Sequence, residues 1–178
     1  MILDLNKIKQ IYLAGGIQAA AHPNSWRNLL TDFFNKEFSN IIVFNPVEDN
    51  SNIFHPSIMG RKDDGNPYSL GELQNIDELK EALLLRQTEI NDKQAIKKSD
   101  VIIFYLDDRI GFGTKTEFSW CYEWKKPMII IRTIPRRNLA HWVKWRRYYA
   151  LVIERFALEF KSLTDFQNYM LELKKEDK

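Results

Sequence analysis

The sequence predicts an α/β chain: a doubly wound sheet of about five mainly parallel strands with helices on both faces. Three observations lead there. Residues 10–14, 41–44, 101–106 and 128–132 are almost wholly apolar, as strands must be when both faces of a sheet are covered. Helical patterns separate these runs, the alternation that builds parallel crossover units. A length of 178 residues, 44% hydrophobic and 28% charged, fits one domain over residues 1–178 and excludes a disordered tail or a collagen-like repeat.

Each element has its own signal. Gln10 to Ala14 reads as the first strand, and Gly15-Gly16 closes it in a turn suited to face a phosphate or a sugar. Asn24 or Ser25 caps a helix from about Trp26 to Lys36, with Leu29, Leu30, Phe33 and Phe34 at helical spacing. Ile41 to Phe44 is expected as a second buried strand, stopped by Asn45-Pro46. From Pro46 to about Leu70 the chain is rich in Asn, Asp, Pro and Gly, longer than an ordinary connection, so it reads as a lid or a poorly ordered loop. A helix should run from near Ser69-Leu70 to Ser99, carrying Leu73, Ile76, Leu79, Leu83, Ile90 and Ile96 as its stripe.

Val101 to Leu106 is the clearest strand, and Pro127 precedes a fourth over Met128 to Arg132, with a helix from Thr114 to about Trp124 between them. Beyond Pro135 a basic, Trp-rich helix is expected over Asn138 to Arg147, then a fifth strand within Tyr149 to Phe160. A last helix, from Thr164 to Lys174, carries Phe166, Tyr169, Met170 and Leu173.

Composition narrows the class. No apolar run approaches the roughly 20 residues that cross a bilayer, and Met1 to Lys9 lacks a leader-like apolar stretch. A soluble, cytoplasmic protein without a membrane partner is expected. Cys121 is the one cysteine, and His22, His55 and His141 are scattered, so neither a metal nor another cofactor is implied. The net charge of +2 conceals an asymmetry. Residues 1–124 carry 13 basic against 18 acidic side chains and residues 125–178 carry 13 against 6, so the two parts stand at −5 and +7. Eight basic residues and no acidic one lie between Lys125 and Ile153.

In open parallel sheets ligands bind beyond the carboxyl ends of the strands, where the strand order reverses. Gly15-Gly16, Asn45-Pro46 and the segment Asp107 to Glu117 should therefore converge. In the last of these, Gly111 and Gly113 permit close backbone approach, and Glu117 is expected in the first turn of the following helix. Thr114 and Glu117 have the spacing of a capping box, which is one reading of the pair. The other is a nucleophilic carboxylate, whose ionised form the helix N-terminus favours. Neither the dinucleotide fingerprint nor the P-loop pattern is present, which counts against a Rossmann dehydrogenase and a P-loop NTPase. Asp92 lies four residues before Ile96 and so shares the inward face of its helix; it reads either as a solvated acid or, if turned inward, as one whose pKa burial would raise, which suits proton transfer or a hydrogen bond to a nucleobase.

Taken together, these segments resemble the nucleoside 2-deoxyribosyltransferase family and its nucleotide N-glycosidase relatives. The resemblance spans roughly residues 10–132. It is carried by Ile11-Tyr12-Leu13-Ala14-Gly15-Gly16 with Trp26-Arg27 downstream, by Asn45-Pro46, and by Asn91-Asp92 with Ile96 to Asp100. Gly113-Thr114-x-x-Glu117 and Lys126 to Ile130 complete it. It implies a flavodoxin-like fold in which Glu117 attacks the anomeric carbon, expels the base and holds a glycosyl ester until another base or water resolves it. By the same resemblance Asp92 binds or protonates the base, Tyr12 orients the nucleophile, and Asp107 or Asp108 holds the sugar hydroxyls. It also implies a small-molecule nucleoside or nucleotide substrate and a homo-oligomer, a dimer or larger, with sites completed across subunits.

The chain departs from that pattern in four places, the first being the long loop from Pro46 to Leu70. The Asp108 to Glu117 segment is spaced differently, and the helix after Glu117 is bulkier, reading Phe118 to Trp124. The serine- and arginine-bearing phosphate loop of the nucleotide hydrolases is replaced by Gly15-Gly16-Ile17-Gln18.

Trp120 and Trp124 share a helix face with Glu117, which fits packing or, for Trp120, stacking on a base. Trp142 and Trp145 lie among Arg136, Arg137, Lys144, Arg146 and Arg147. A contact to another subunit ranks first for this basic stretch and a 5′-phosphate second. Nucleic acid comes last, because the overall charge is near neutral and no binding motif accompanies it. A different class of function remains open: a nucleotide-binding sensor without turnover, in which Thr114 and Glu117 only cap a helix.

Overall fold

The computed structural model describes residues 3–16, 25–49, 78–107, 111–133 and 157–176. They contain strands β1 (Gln10–Gly15), β2 (Ile42–Phe44), β3 (Val101–Leu106), β4 (Met128–Arg132) and β5 (Ala157–Phe160), all parallel in one sheet of order β2-β1-β3-β4-β5. The expected doubly wound α/β sheet is observed, with the strand order of a flavodoxin-like fold. From β1 the chain moves outward to β2, then returns to β3 on the other side, so the carboxyl ends of β1 and β3 flank the switch point.

Helices α1 (Ser25–Glu37), α2 (Pro46–Asp49), α3 (Glu78–Lys98), α4 (Phe112–Glu123) and α5 (Leu163–Glu176) complete the described elements. Strand side chains alternate between two cores, as the period of two requires. Ile11, Leu13, Ile103 and Ile131 pack with Leu30 and Phe34 of α1 and with Phe166 and Met170 of α5. Tyr12, Ala14, Ile102, Phe104 and Ile130 face the other way, toward Ala95 and Ile96 of α3 and Phe118 and Cys121 of α4.

The second strand differs from expectation. It lies at the sheet edge, where only β1 covers it laterally, and Ile42 stands 66% exposed. Pro46 does more than stop it. With its fixed φ it occupies the first position of α2, while Asn45 Oδ1 accepts from the Val47 amide at 3.2 Å and Asp49 Oδ2 accepts from the Asn45 amide at 2.7 Å. Outside the described residues fall the rest of the 46–70 loop, the start of the long helix before Glu78, the helix expected over 138–147, and the fifth strand before Ala157.

The amino ends of β1 and β3 are tied together. Asp100 Oδ2 accepts from the Lys9 and Gln10 amides at 2.8 and 3.0 Å, and the Asp100 amide donates to Gln10 O at 2.9 Å. At the far end of α4 the backbone reverses through Lys125, a left-handed residue at φ 53°, and brings Lys126 beneath α3. There the Lys126 ammonium donates to the carbonyls of Lys97 and Ser99 at 2.5 and 2.8 Å, a cation at a helix C-terminus. Arg132 pairs with Glu159 at 2.6 Å across β4 and β5. Both of these basic side chains thus have structural partners within the fold. Among the described residues no helix is long and apolar enough to cross a membrane.

At the carboxyl end of β1, Trp26 lies across Gly15 and stacks on Tyr105, with ring centroids 4.9 Å apart and planes 13° from parallel. A Cβ on Gly15 would meet Trp26 Cζ2 at 2.7 Å and the Tyr105 carbonyl oxygen at 3.1 Å. Gly15→Ala should therefore displace α1 from the sheet. The expected cost is about 1 to 3 kcal/mol, read as a fall in Tm of roughly 3 to 10 °C by calorimetry; an unchanged Tm would show that the indole moves freely.

Candidate active site

Glu117 lies in the second turn of α4, the helix that leaves the carboxyl end of β3. Helix α4 carries it beside β1, 8% exposed, and Tyr12 from β1 donates its hydroxyl to Glu117 Oε1 at 2.6 Å. Among the described residues Oε2 has no hydrogen-bond partner. Asp92, half-buried on α3, acts electrostatically on both Glu117 and Tyr12. Three elements of the fold, β1, α3 and α4, therefore each contribute one ionisable group to one place.

Burial controls the charge states. Desolvation, reinforced by the Asp92 charge, raises Glu117 from 4.5 to about 8, against the smaller opposing effects of the Tyr12 hydrogen bond and of Arg27. The same burial, with the charges of Glu117 and Asp92, pushes the Tyr12 phenol well above its usual value, so it remains a neutral donor. Cys121, one helical turn beyond Glu117, is also pushed up by burial and by Glu117.

Two expectations about Glu117 are corrected here. Helix α4 begins at Phe112, with Gly111 as its N-cap and no side-chain capping bond, and its first turn holds no acid. Thr114 is buried inside the helix and Glu117 falls in the second turn, so the two do not form a capping box. The glycines let the helix start earlier than the Thr-x-x-Glu spacing implied. Nor does the helix N-terminus keep Glu117 ionised: its field fades within the first turn, and desolvation prevails.

Arg27 reaches the same region from the opposite face of the sheet. It is fully buried, 4.4 Å from the Trp26 ring centroid, and its Nη2 donates to Gly15 O at 2.9 Å. Burial lowers its pKa to about 10, an effect that Glu117, Tyr12, Asp92 and Asp107 oppose when ionised, so it stays cationic at neutral pH. Arg27 and Trp26 thus support the Gly15-Gly16 turn from within, and Arg27 adds the positive charge that opposes the rise in the Glu117 pKa. Asn45 is buried as the cap of α2, beside Phe44, whose ring stacks on Tyr12 at 5.5 Å and 12°.

Other sequence candidates sit further out. Asp107 directly follows β3, half-buried, and its charge is felt by Arg27 and Tyr105. Asp108 lies outside the described residues. Gly113 is exposed, and neither it nor Gly111 has anything within 4 Å of an added Cβ, so internal packing does not demand glycine at either position. Trp120 lies on the seam between α3 and α4, stacked with Trp124 at 6.2 Å and with the Lys93 ammonium 4.6 Å from its centroid.

Sequence reasoning missed Phe44 and the supporting role of Arg27. For Phe44 the available signal was register: Tyr12 pairs with Phe44 across β1 and β2. Among the described residues no three His, Cys, Asp or Glu side chains are grouped as metal ligands.

No family model matches this sequence, and no curated protein matches it. Solved structures do share its fold. A conserved protein from Enterococcus faecalis V583 superposes with a TM-score of 0.56 at 16% identity, covering 95% of this chain and 99% of that one. The solution structure of BlsM gives 0.50 at 15% identity, covering 90% and 86%. A CMP N-glycosidase of Clostridium botulinum, BcmB, gives 0.47 at 14% identity, covering 91% and 98%. At these identities the likeness to the first two establishes the α/β fold.

The raised pKa of Glu117 has a definite consequence for stability. Below about pH 4.5 the folded and unfolded chains both hold the proton. Between there and about pH 8 only the folded chain keeps it, so its contribution to stability is lost as pH rises through the folded value. Glu117→Gln retains an acceptor for Tyr12 without the titration. The Tm of this variant relative to wild type should climb steadily from pH 4.5 to pH 8 and then level off; a flat difference would contradict the burial-driven shift.

Proposed function

We propose that this chain cleaves the N-glycosidic bond of a nucleoside, a deoxynucleoside or its 5′-monophosphate, with Glu117 as nucleophile and the sugar passing to water or another base. The observation that carries the reading is the short Tyr12 to Glu117 hydrogen bond between β1 and α4, which fixes Oε1; in this reading Oε2 attacks the anomeric carbon. The sequence resemblance supplies the reaction class, and the converging acids supply its chemistry.

A displacement of this kind needs one carboxylate and one acid. Glu117 holds a proton up to about pH 8. Transfer of that single proton to Asp92, directly or by way of the substrate, provides both groups at once. A Glu117 oxygen then bonds to C1′ while the C1′–N bond breaks, its electron pair going to the base nitrogen, which takes the proton from Asp92. Water or a second base attacks C1′ next, gives up its proton to Asp92, and the ester bond opens to restore the Glu117 carboxylate. Tyr12 stays neutral throughout and steadies the carboxyl group. Asp107 or Asp108 holds the sugar hydroxyls, Gly113 and Thr114 line the approach, and a homo-oligomer brings a neighbouring subunit to the site.

Mass spectrometry after incubation with a 2-fluoro-deoxynucleoside should show the sugar added to Glu117, and chromatography should show released base. No adduct, with turnover unchanged in Glu117→Ala, would overturn the reading. Base released with no contribution from Glu117 would reject the mechanism, and binding without any release would favour the sensor alternative.

The pH profile tests the shared proton separately. In wild type, kcat/KM should fall as pH rises through about 8, where that proton is lost. Asp92→Asn should slow base release by about 10²- to 10⁴-fold. It should also reverse the slope, since the lone Glu117 must then ionise to attack.

A further inference from the structure

Four side chains on the α3–α4 seam form two parallel rungs. The Lys93 ammonium lies 4.6 Å from the Trp120 ring centroid, and Lys97 lies 4.8 Å from that of Trp124. Each helix advances by four residues between rungs, about one turn. The two indoles stack on one another at 6.2 Å with planes 15° apart, and Lys93 is also braced by Glu89 at 2.7 Å. The lower end of the seam is fastened independently by Lys126, which bonds the carbonyls of Lys97 and Ser99.

The position of the rungs matters because Asp92 immediately precedes Lys93. It lies six residues above Lys98, about 9 Å along the helix axis, and so beyond the reach of the Lys126 fastening. Among the described residues, the buried hydrophobic side chains that hold α3 onto the sheet are Ala95 and Ile96, about a turn below Asp92, and being small or aliphatic they impose little direction. Helix α4 places Glu117 three residues before Trp120, on the turn adjoining the upper rung.

We infer that Lys93, Lys97, Trp120 and Trp124 are positioning residues, a cation–π ladder that holds α3 against α4 and thereby fixes Asp92 relative to Glu117. The inference rests on the proposed role of these two acids, and it gives the tryptophans a purpose other than stacking on a base. Without the ladder, α3 remains attached at its lower end and splays from α4 above it, carrying Asp92 away. The groups acting on Glu117 are Asp92 from α3, Tyr12 from β1 and Arg27 from α1, and Glu117 in turn acts on Cys121 of its own helix; Lys93 and Lys97 are not among its perturbing charges.

Carbon-13 NMR of the glutamate-labelled full chain follows the Glu117 carboxyl without requiring turnover, and Glu117→Gln assigns its signal. In Lys93→Gln/Lys97→Gln the midpoint should fall by about one pH unit as the Asp92 charge recedes. Loss of two cations by itself would push a carboxyl midpoint upward, so the direction separates displacement of Asp92 from direct electrostatics. Trp120→Leu/Trp124→Leu, which changes no charge, should give the same fall, and Lys93→Arg/Lys97→Arg should restore the wild-type value.

An unchanged or raised midpoint in folded Lys93→Gln/Lys97→Gln would overturn the inference. A fallen midpoint with no base released by wild type from any nucleoside or nucleotide would uphold the ladder and reject the proposed function. Where base is released, the alkaline fall in kcat/KM should move down with the NMR midpoint while KM changes little.

Discussion

A carboxyl group enclosed among apolar side chains must either lose its charge or find donors, and at Glu117 a single phenol is the donor that the fold provides. The 2.6 Å bond from Tyr12 joins the helix after β3 to the middle of β1. Much of the surrounding construction serves that bond. Tyr12 is held by its place in a parallel strand paired on both sides, and Phe44 lies flat against its ring. Asp100 fixes the amino end of β1 against β3, so the level of Tyr12 relative to α4 is set from below. With so little freedom, the phenol can steady a carboxyl whose own preference, in that environment, is to remain protonated.

Charge balance is supplied from the far face of the sheet. Arg27 belongs to α1, whose other side chains pack with the core opposite Glu117, yet its guanidinium reaches the end of β1 and bonds Gly15 O. Gly15 makes this passage feasible, because the indole of Trp26 already occupies the space that a Cβ would take. A buried arginine is costly unless its charge is answered. Here Asp92 and Asp107 answer it, joined by Glu117 once that group ionises above about pH 8, and it in turn opposes the rise in the Glu117 pKa. The glycine, the indole and the guanidinium are thus one arrangement, and the conformation of the turn follows from it.

The sequence made the sheet legible because strands buried on both faces have nearly uniform composition, and Ile11 to Leu13, Val101 to Leu106 and Met128 to Ile131 could hardly be anything else. It misjudged β2 because an apolar run does not reveal whether a strand is central or at an edge, and Ile42 is exposed for that reason. The start of α4 was hidden as well. Thr-x-x-Glu spacing describes a cap only if the threonine is the first residue, and Gly111 is the actual N-cap. The state of Glu117 was least legible of all. A local rule about helix ends predicted an ionised group, whereas its surroundings come from β1, α3 and α1, residues up to 105 positions away in sequence. Desolvation is a property of the assembled fold and has no signature in a short motif.

The division of the two acids between separate helices has a physical implication of its own. Had Asp92 and Glu117 lain on one helix, their separation would be fixed by the backbone, and their coupling would be insensitive to the rest of the molecule. On α3 and α4 the coupling instead depends on how two parallel crossover helices sit side by side on the sheet. Interhelical packing of short and aliphatic side chains tolerates small shifts at little cost. Charge coupling does not, since it varies steeply over the few ångströms that separate groups in a low-dielectric interior. A site assembled in this way therefore requires some fixing of the seam that is stiffer than its buried contacts. The Lys126 fastening and the lysine–tryptophan rungs occupy the places where such stiffness would be needed, on the outside of the seam and at the levels of the helix end and of Asp92.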